Sequence, residues 1–165
     1  MHFGDWENAA KELALAGGAF VVAGCYSAKK ETLLTRFLEK PVPLGRFLFS
    51  IAIISFGVDH FLFANEGADY VPSWMPFHLF WMYFTGTTLL GSGLAIILNI
   101  MPGVAATLLG IMTLAWVIML HIPRVIASPA AFTGSEVTST LIALAYSGIA
   151  FVIAGTAKNK KTNGI

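Results

Sequence analysis

Five stretches of this 165-residue chain approach the length of a bilayer crossing: residues 10–28, 44–64, 77–99, 103–122 and 138–157. A helix rises about 1.5 Å per residue, so about 20 apolar residues traverse a hydrocarbon core of about 30 Å. None of the five alternates apolar and polar residues as a barrel strand does, and each is too long for one. Unsatisfied backbone groups are costly in lipid, which leaves helices. The expected fold is therefore all-α, a single polytopic transmembrane bundle of four spans plus an N-terminal fifth. That first stretch is Ala-rich and interrupted near its start by Lys11 and Glu12.

Composition closes off the alternatives. Apolar residues make up 56% of the chain and charged residues 12%, against about 25% charged in soluble domains. A water-soluble fold would have to expose large apolar patches. A net charge of +1 gives no footing for nucleic acid. Cys25 is the single cysteine, so neither an intrachain disulfide nor a Cys-x-x-Cys motif exists. The first eight residues hold Asp5 and Glu7 and no Lys or Arg, a poor match to a cleaved signal peptide. Pro41, Pro43, Pro72, Pro76, Pro102, Pro123 and Pro129 all fall at segment boundaries, where no interior hydrogen bond is lost.

Basic residues set the expected orientation. Lys29, Lys30, Arg36, Lys40 and Arg46 lie between the first and second segments, and Lys158, Lys160 and Lys161 follow the fifth. Only Lys11 and Arg124 fall on the other side. The expectation is an N-terminus outside and a C-terminus in the cytoplasm. Trp6, Trp74, Trp81 and Trp116 then collect in the outer half, as in an interfacial aromatic belt.

Helix association in lipid depends on close packing, and small residues supply it. The third segment offers Thr87, Gly91 and Ala95 at four-residue spacing, with Gly86, Ser92 and Gly93 nearby. The fourth has Gly103, Ala106 and Gly110, and the fifth has Ser147, Gly148 and Gly155. Packing is the expected role. A cavity lined by small residues reads the same way.

The ionisable groups inside the apolar segments need a reason, because a charge at mid-membrane costs about 2.5–3.5 kcal/mol on insertion scales. Asp59 and His60 sit about one turn from the outer end of the second segment. His78 opens the third and His121 closes the fourth, so the three imidazoles are expected at a similar depth. Arg124 and Glu136 belong to the same layer, and Trp81 lies three residues beyond His78. The candidate ligand-binding set is Asp59, His60, His78, Trp81, His121 and Arg124, with no catalytic assignment. Three readings stand: an interfacial network pairing Asp59 with Arg124 or a histidine; a pocket for a small ligand such as a quinone or lipid head group; or metal or haem ligation. Neutral imidazole both donates and accepts hydrogen bonds, which suits the second. Three histidines and a carboxylate are the right types for the third, but their spacings form no metal motif. The run from Tyr70 to His78, with Pro72 and Pro76 around Trp74, is expected to be a surface-lying or re-entrant turn, compatible with a lid.

The pieces Leu44-Gly45-Arg46-Phe47, Phe56-Gly57-Val58-Asp59-His60-Phe61, Val71-Pro72-Ser73-Trp74-Met75-Pro76, Thr85-Gly86, Leu90-Gly91-Ser92-Gly93 and His121-Ile122-Pro123 together resemble the DoxX family of small integral membrane proteins. The resemblance covers roughly residues 43–155. It implies a four-helix membrane core with both ends in the cytoplasm and a place in a bacterial cytoplasmic (inner) membrane. Some relatives are linked to quinone-reducing thiosulfate oxidation or oxidative-stress complexes, and the family supplies no agreed catalytic residues. The N-terminal stretch departs from the four-helix pattern. The expectation is an accessory or quinone-facing subunit of a membrane redox system, with the bilayer and a redox protein as partners. The alternative is a non-enzymatic scaffold or a carrier of a small lipid-like molecule. No dinucleotide fingerprint or iron–sulfur cysteine set is present, so the chain cannot carry a redox chain unaided.

Overall fold

The computed structural model describes residues 3–25, 42–127 and 135–162. Helix α1 covers Phe3–Ala23, α2 Gly45–Leu62, α3 Ala64–Ala68, α4 His78–Ile97, α5 Pro102–Trp116, α6 Ile122–Ala127 and α7 Ser135–Thr162. A short 3-10 piece, Val42–Leu44, leads into α2, and a π-helical piece, Val117–His121, joins α5 to α6. Among the described residues there is no strand.

Among the described residues, four helical runs are long and apolar enough to cross a membrane: Gly45–Leu62, His78–Ile97, Pro102–Ala127 and Glu136–Ala157. These are the second to fifth expected segments. Helix α1 is not among them, because Asp5, Glu7, Lys11 and Glu12 crowd its first half. It also ends at Ala23, short of the expected boundary, and residues 26–28 lie outside the described part. The basic stretch at 29–40 lies outside it too. Large apolar side chains such as Val58, Leu94, Leu108, Ile118 and Leu141 are exposed on the spanning helices. That is the arrangement of a protein whose outer solvent is acyl chain rather than water.

The long helices close a ring in chain order: α1 packs on α2, α2 on α4, α4 on α5, α5 on α7, and α7 on α1. Neighbours run antiparallel where close contacts fix direction. Gly17 meets Phe49, while Val21 meets Gly45; His60 lies over Gly86, while Ser50 lies over Gly93. One end of the ring therefore gathers the start of α2 and the end of α4. The other gathers the end of α2 and the start of α4.

The core sits at the first of these ends. Phe49, Ile53, Ile96, Leu109 and Ile153 are almost wholly buried there, beside Ala106 and Ala150. The α1–α2 crossing is backbone on backbone. A Cβ on Gly17 would stand 2.6 Å from the Phe49 nitrogen, and one on Gly45 would stand 2.7 Å from the Gly17 oxygen. The Ser147 hydroxyl donates to the Gly110 carbonyl at 2.9 Å, tying α7 to α5 where lipid offers no competing partner.

The small residues divide differently from the four-residue spacing expected in the third segment. Thr87 and Gly91 are exposed, and a Cβ added at Gly91, Gly148 or Gly155 would meet nothing within 4 Å. Packing falls instead to Gly86, Ser92 and Gly93, one step round the helix, with Ala106, Gly110 and Ser147 as expected. The seven-residue interval from Gly86 to Gly93 holds one face of a helix over two turns.

Candidate functional site

At the other end the ring does not fill. A cavity of about 270 Å³ opens between the helices. Every long helix contributes to its wall: Lys11 from α1; Ile53, Phe56 and His60 from α2; Trp81, Met82, Thr85 and Leu89 from α4; Met112, Thr113 and Trp116 from α5; Ser139, Ile142, Ala143 and Tyr146 from α7. Leu120 and His121 from the π-helical piece and Tyr70 and Val71 from the connection before α4 complete it.

Two aromatic pairs form much of this wall. Trp81 and Trp116 stand edge to face at 6.0 Å between ring centres, joining α4 to α5. Phe56 and Tyr146 lie 5.9 Å apart, joining α2 to α7, and Phe49 meets Tyr146 edge-on at 6.0 Å from the core side. Such pairs contribute about 0.5–1.5 kcal/mol beyond burial. They also give the cavity flat, stiff faces.

Four polar side chains on the wall are held by main-chain carbonyls. His60 Nδ1 lies 2.7 Å from the Phe56 oxygen, one turn back in α2. Trp81 Nε1 donates to the Pro76 carbonyl at 3.1 Å, which seats the indole at the start of α4. Thr113 donates to the Leu109 carbonyl at 2.9 Å, and the Tyr146 hydroxyl to the Lys11 carbonyl at 3.3 Å. His60 owes its place to Gly86, where a Cβ would come within 2.9 Å of the His60 Cβ.

His121 differs from the others. Its Nδ1 is buried and has no hydrogen-bond partner among the described residues. An orphaned buried polar atom is uncommon in folded proteins and calls for an explanation. The π-helical turn accounts for its position. Pro123 has no N–H to continue the regular ladder, and the Ile122 N–H reaches back five residues to the Val117 carbonyl. The wider turn brings both Leu120 and His121 to the cavity. Single π-turns of this kind occur often at functional sites.

A clamp crosses the open end. The Arg124 guanidinium grips both oxygens of Glu136, Nε to Oε2 at 3.1 Å and a terminal nitrogen to Oε1 at 2.5 Å. Its carbon also sits 4.4 Å from the centre of the Tyr70 ring. One cation thereby fastens α6 to α7 and to the Tyr70 connection through a fork and a cation–π contact. The Tyr70–Phe77 connection covers this end with its buried residues, Val71 and Met75, while Trp74 is 67% exposed and faces outward.

Of the six residues singled out by sequence, the structure brings His60, Trp81 and His121 into one wall. Asp59, His78 and Arg124 are outside it. Asp59 precedes His60 and sits about 100° away around the helix; His78 is the first residue of α4, half-buried. Arg124, with the histidines an expected partner for Asp59, is instead forked to Glu136. Among the described residues, no three His, Cys, Asp or Glu side chains are grouped as a metal would need. Sequence reasoning missed Lys11, Tyr70, Thr113 and Tyr146. Each is a polar group in or beside an apolar run, the same signal that drew attention to His60. No family model, curated protein or solved structure matches the chain.

Proposed function

We propose that this integral membrane protein binds a small ring-bearing molecule of the quinone type in the cavity, as a DoxX-like accessory or quinone-facing subunit of a membrane redox system. The observation that supports this most is the cavity's chemistry: stiff aromatic and aliphatic walls carrying two imidazoles, one of them with an unpartnered buried nitrogen. Ligand sites are typically apolar clefts with a few fixed polar groups. Pockets for drug-sized ligands start at about 300 Å³, so a volume of about 270 Å³ suits a single substituted ring with its tail leaving between helices. The basic residues before the second segment and after the fifth support an orientation with this end away from the cytoplasm, and the resemblance supports a bacterial inner membrane.

The test is titration of purified protein in detergent with a short-tailed benzoquinone–benzoquinol pair, read by quenching of Trp81 and Trp116. Saturable quenching is expected in the wild type and its loss in Ala143→Phe, which fills the cavity. Equal quenching in both would show partitioning into the micelle and remove the site.

A further inference from the structure

The hydrogen bonding of His60 selects between the two redox forms of such a ligand. A carbonyl oxygen only accepts, so an imidazole nitrogen 2.7 Å from the Phe56 oxygen carries the ring proton there. In the neutral ring Nε2, on the far edge, is then a lone pair. Thr113 follows the same pattern: its proton goes to the Leu109 carbonyl and it turns lone pairs outward. Trp81, whose only polar atom is a donor, has that donor engaged by Pro76. What faces His60 Nε2 across the cavity must therefore bring its own O–H or N–H. Resting on the ligand-binding reading above, we infer that the cavity is selective for a phenolic hydroxyl, and so takes the quinol in preference to the quinone.

The two forms have nearly the same size and shape, so the apolar walls cannot separate them. The difference lies at one atom. A quinol hydroxyl donates to Nε2, whereas a quinone carbonyl sets lone pair against lone pair and leaves both unsatisfied. His121, whose Nδ1 has no partner among the described residues, can take either tautomer and serve either form, so discrimination falls to His60.

An acceptor left unpaired against the ligand is expected to weaken binding about tenfold. The experiment measures dissociation constants of decylubiquinol under reducing conditions and decylubiquinone under oxidising conditions, on wild-type protein and His60→Gln. About tenfold tighter binding of the quinol is expected in the wild type. In His60→Gln the side-chain amide can turn either its N–H or its C=O to the ligand, and the ratio is expected to fall toward one. Equal or tighter binding of the quinone by wild-type protein overturns this inference and leaves the ligand site standing. An unchanged tenfold preference in His60→Gln also overturns it, since the discriminating atom would lie elsewhere. Binding of neither form removes the ligand site, and this inference with it.

Discussion

The two ends of the helical ring use the same five rods to opposite effect. Where α2 begins, glycines and alanines let backbones touch, and Phe49, Ile96, Leu109 and Ile153 fill the centre to near-complete burial. Where α2 ends, the helices are kept apart by Trp81, Trp116, Phe56 and Tyr146, and the centre stays open. The difference teaches that a membrane bundle can hold a cavity without losing its fold if one end is filled and neighbouring helices still touch beside the cavity, as α2 and α4 do at Gly57 and Gly86. Lipid tails are as apolar as leucine, so the closed end is held by contact and fit rather than by escape from water.

Substitutions that attack the closed end should have the largest effects. Gly17→Val sets a side chain against backbone atoms of α2 that cannot step aside. It is expected to cost about 3 kcal/mol, the upper range for overpacking, seen as reduced folded yield and a lower melting temperature in detergent. A paired comparison on α5 follows. Leu109→Ala empties a filled site and is expected to cost about 2 kcal/mol through the void it leaves. Met112→Ala, one turn along and already facing the cavity, should cost about 1 kcal/mol or less, because there are fewer neighbours to lose. Equal costs at the two positions would mean that the cavity is closed in the folded protein.

Much of this division can be read from the chain before it folds. Length and hydropathy locate the four spans, because 18 or more apolar residues leave few structures available in lipid. The clustering of His60 and His121 follows from their positions at the ends of antiparallel segments. The fate of Asp59 and His78 does not, since a step of about 100° decides whether a side chain sees the cavity or its neighbour helix. The π-turn at Val117–His121 is likewise invisible to periodicity, because one inserted residue shifts the face of everything beyond it. Lys11 weakens the first segment as a span, and the residue that does so is part of the cavity wall.

The clamp at the open end should show the smallest effects. Arg124 and Glu136 remain partly exposed, at 31% and 26%, where ion pairs contribute little. A double-mutant cycle with Arg124→Ala and Glu136→Ala is expected to give a coupling of about 1 kcal/mol, since the fork is bidentate. Arg124→Ala alone should cost slightly more than Glu136→Ala, because it also releases the Tyr70 ring. If the cycle gave no coupling, the fork would not hold α6 to α7 in solution.

The most direct measurement is nitrogen NMR of protein carrying ¹⁵N-labelled histidine, recorded with and without decylubiquinol. The expected result is a protonated Nδ1 on His60 in the free protein and ligand-induced shifts at His60 and His121, with His78 unmoved. Shifts shared equally by His78, or none at His60 and His121 under saturating probe, would contradict a ligand site enclosed by the open end of the ring.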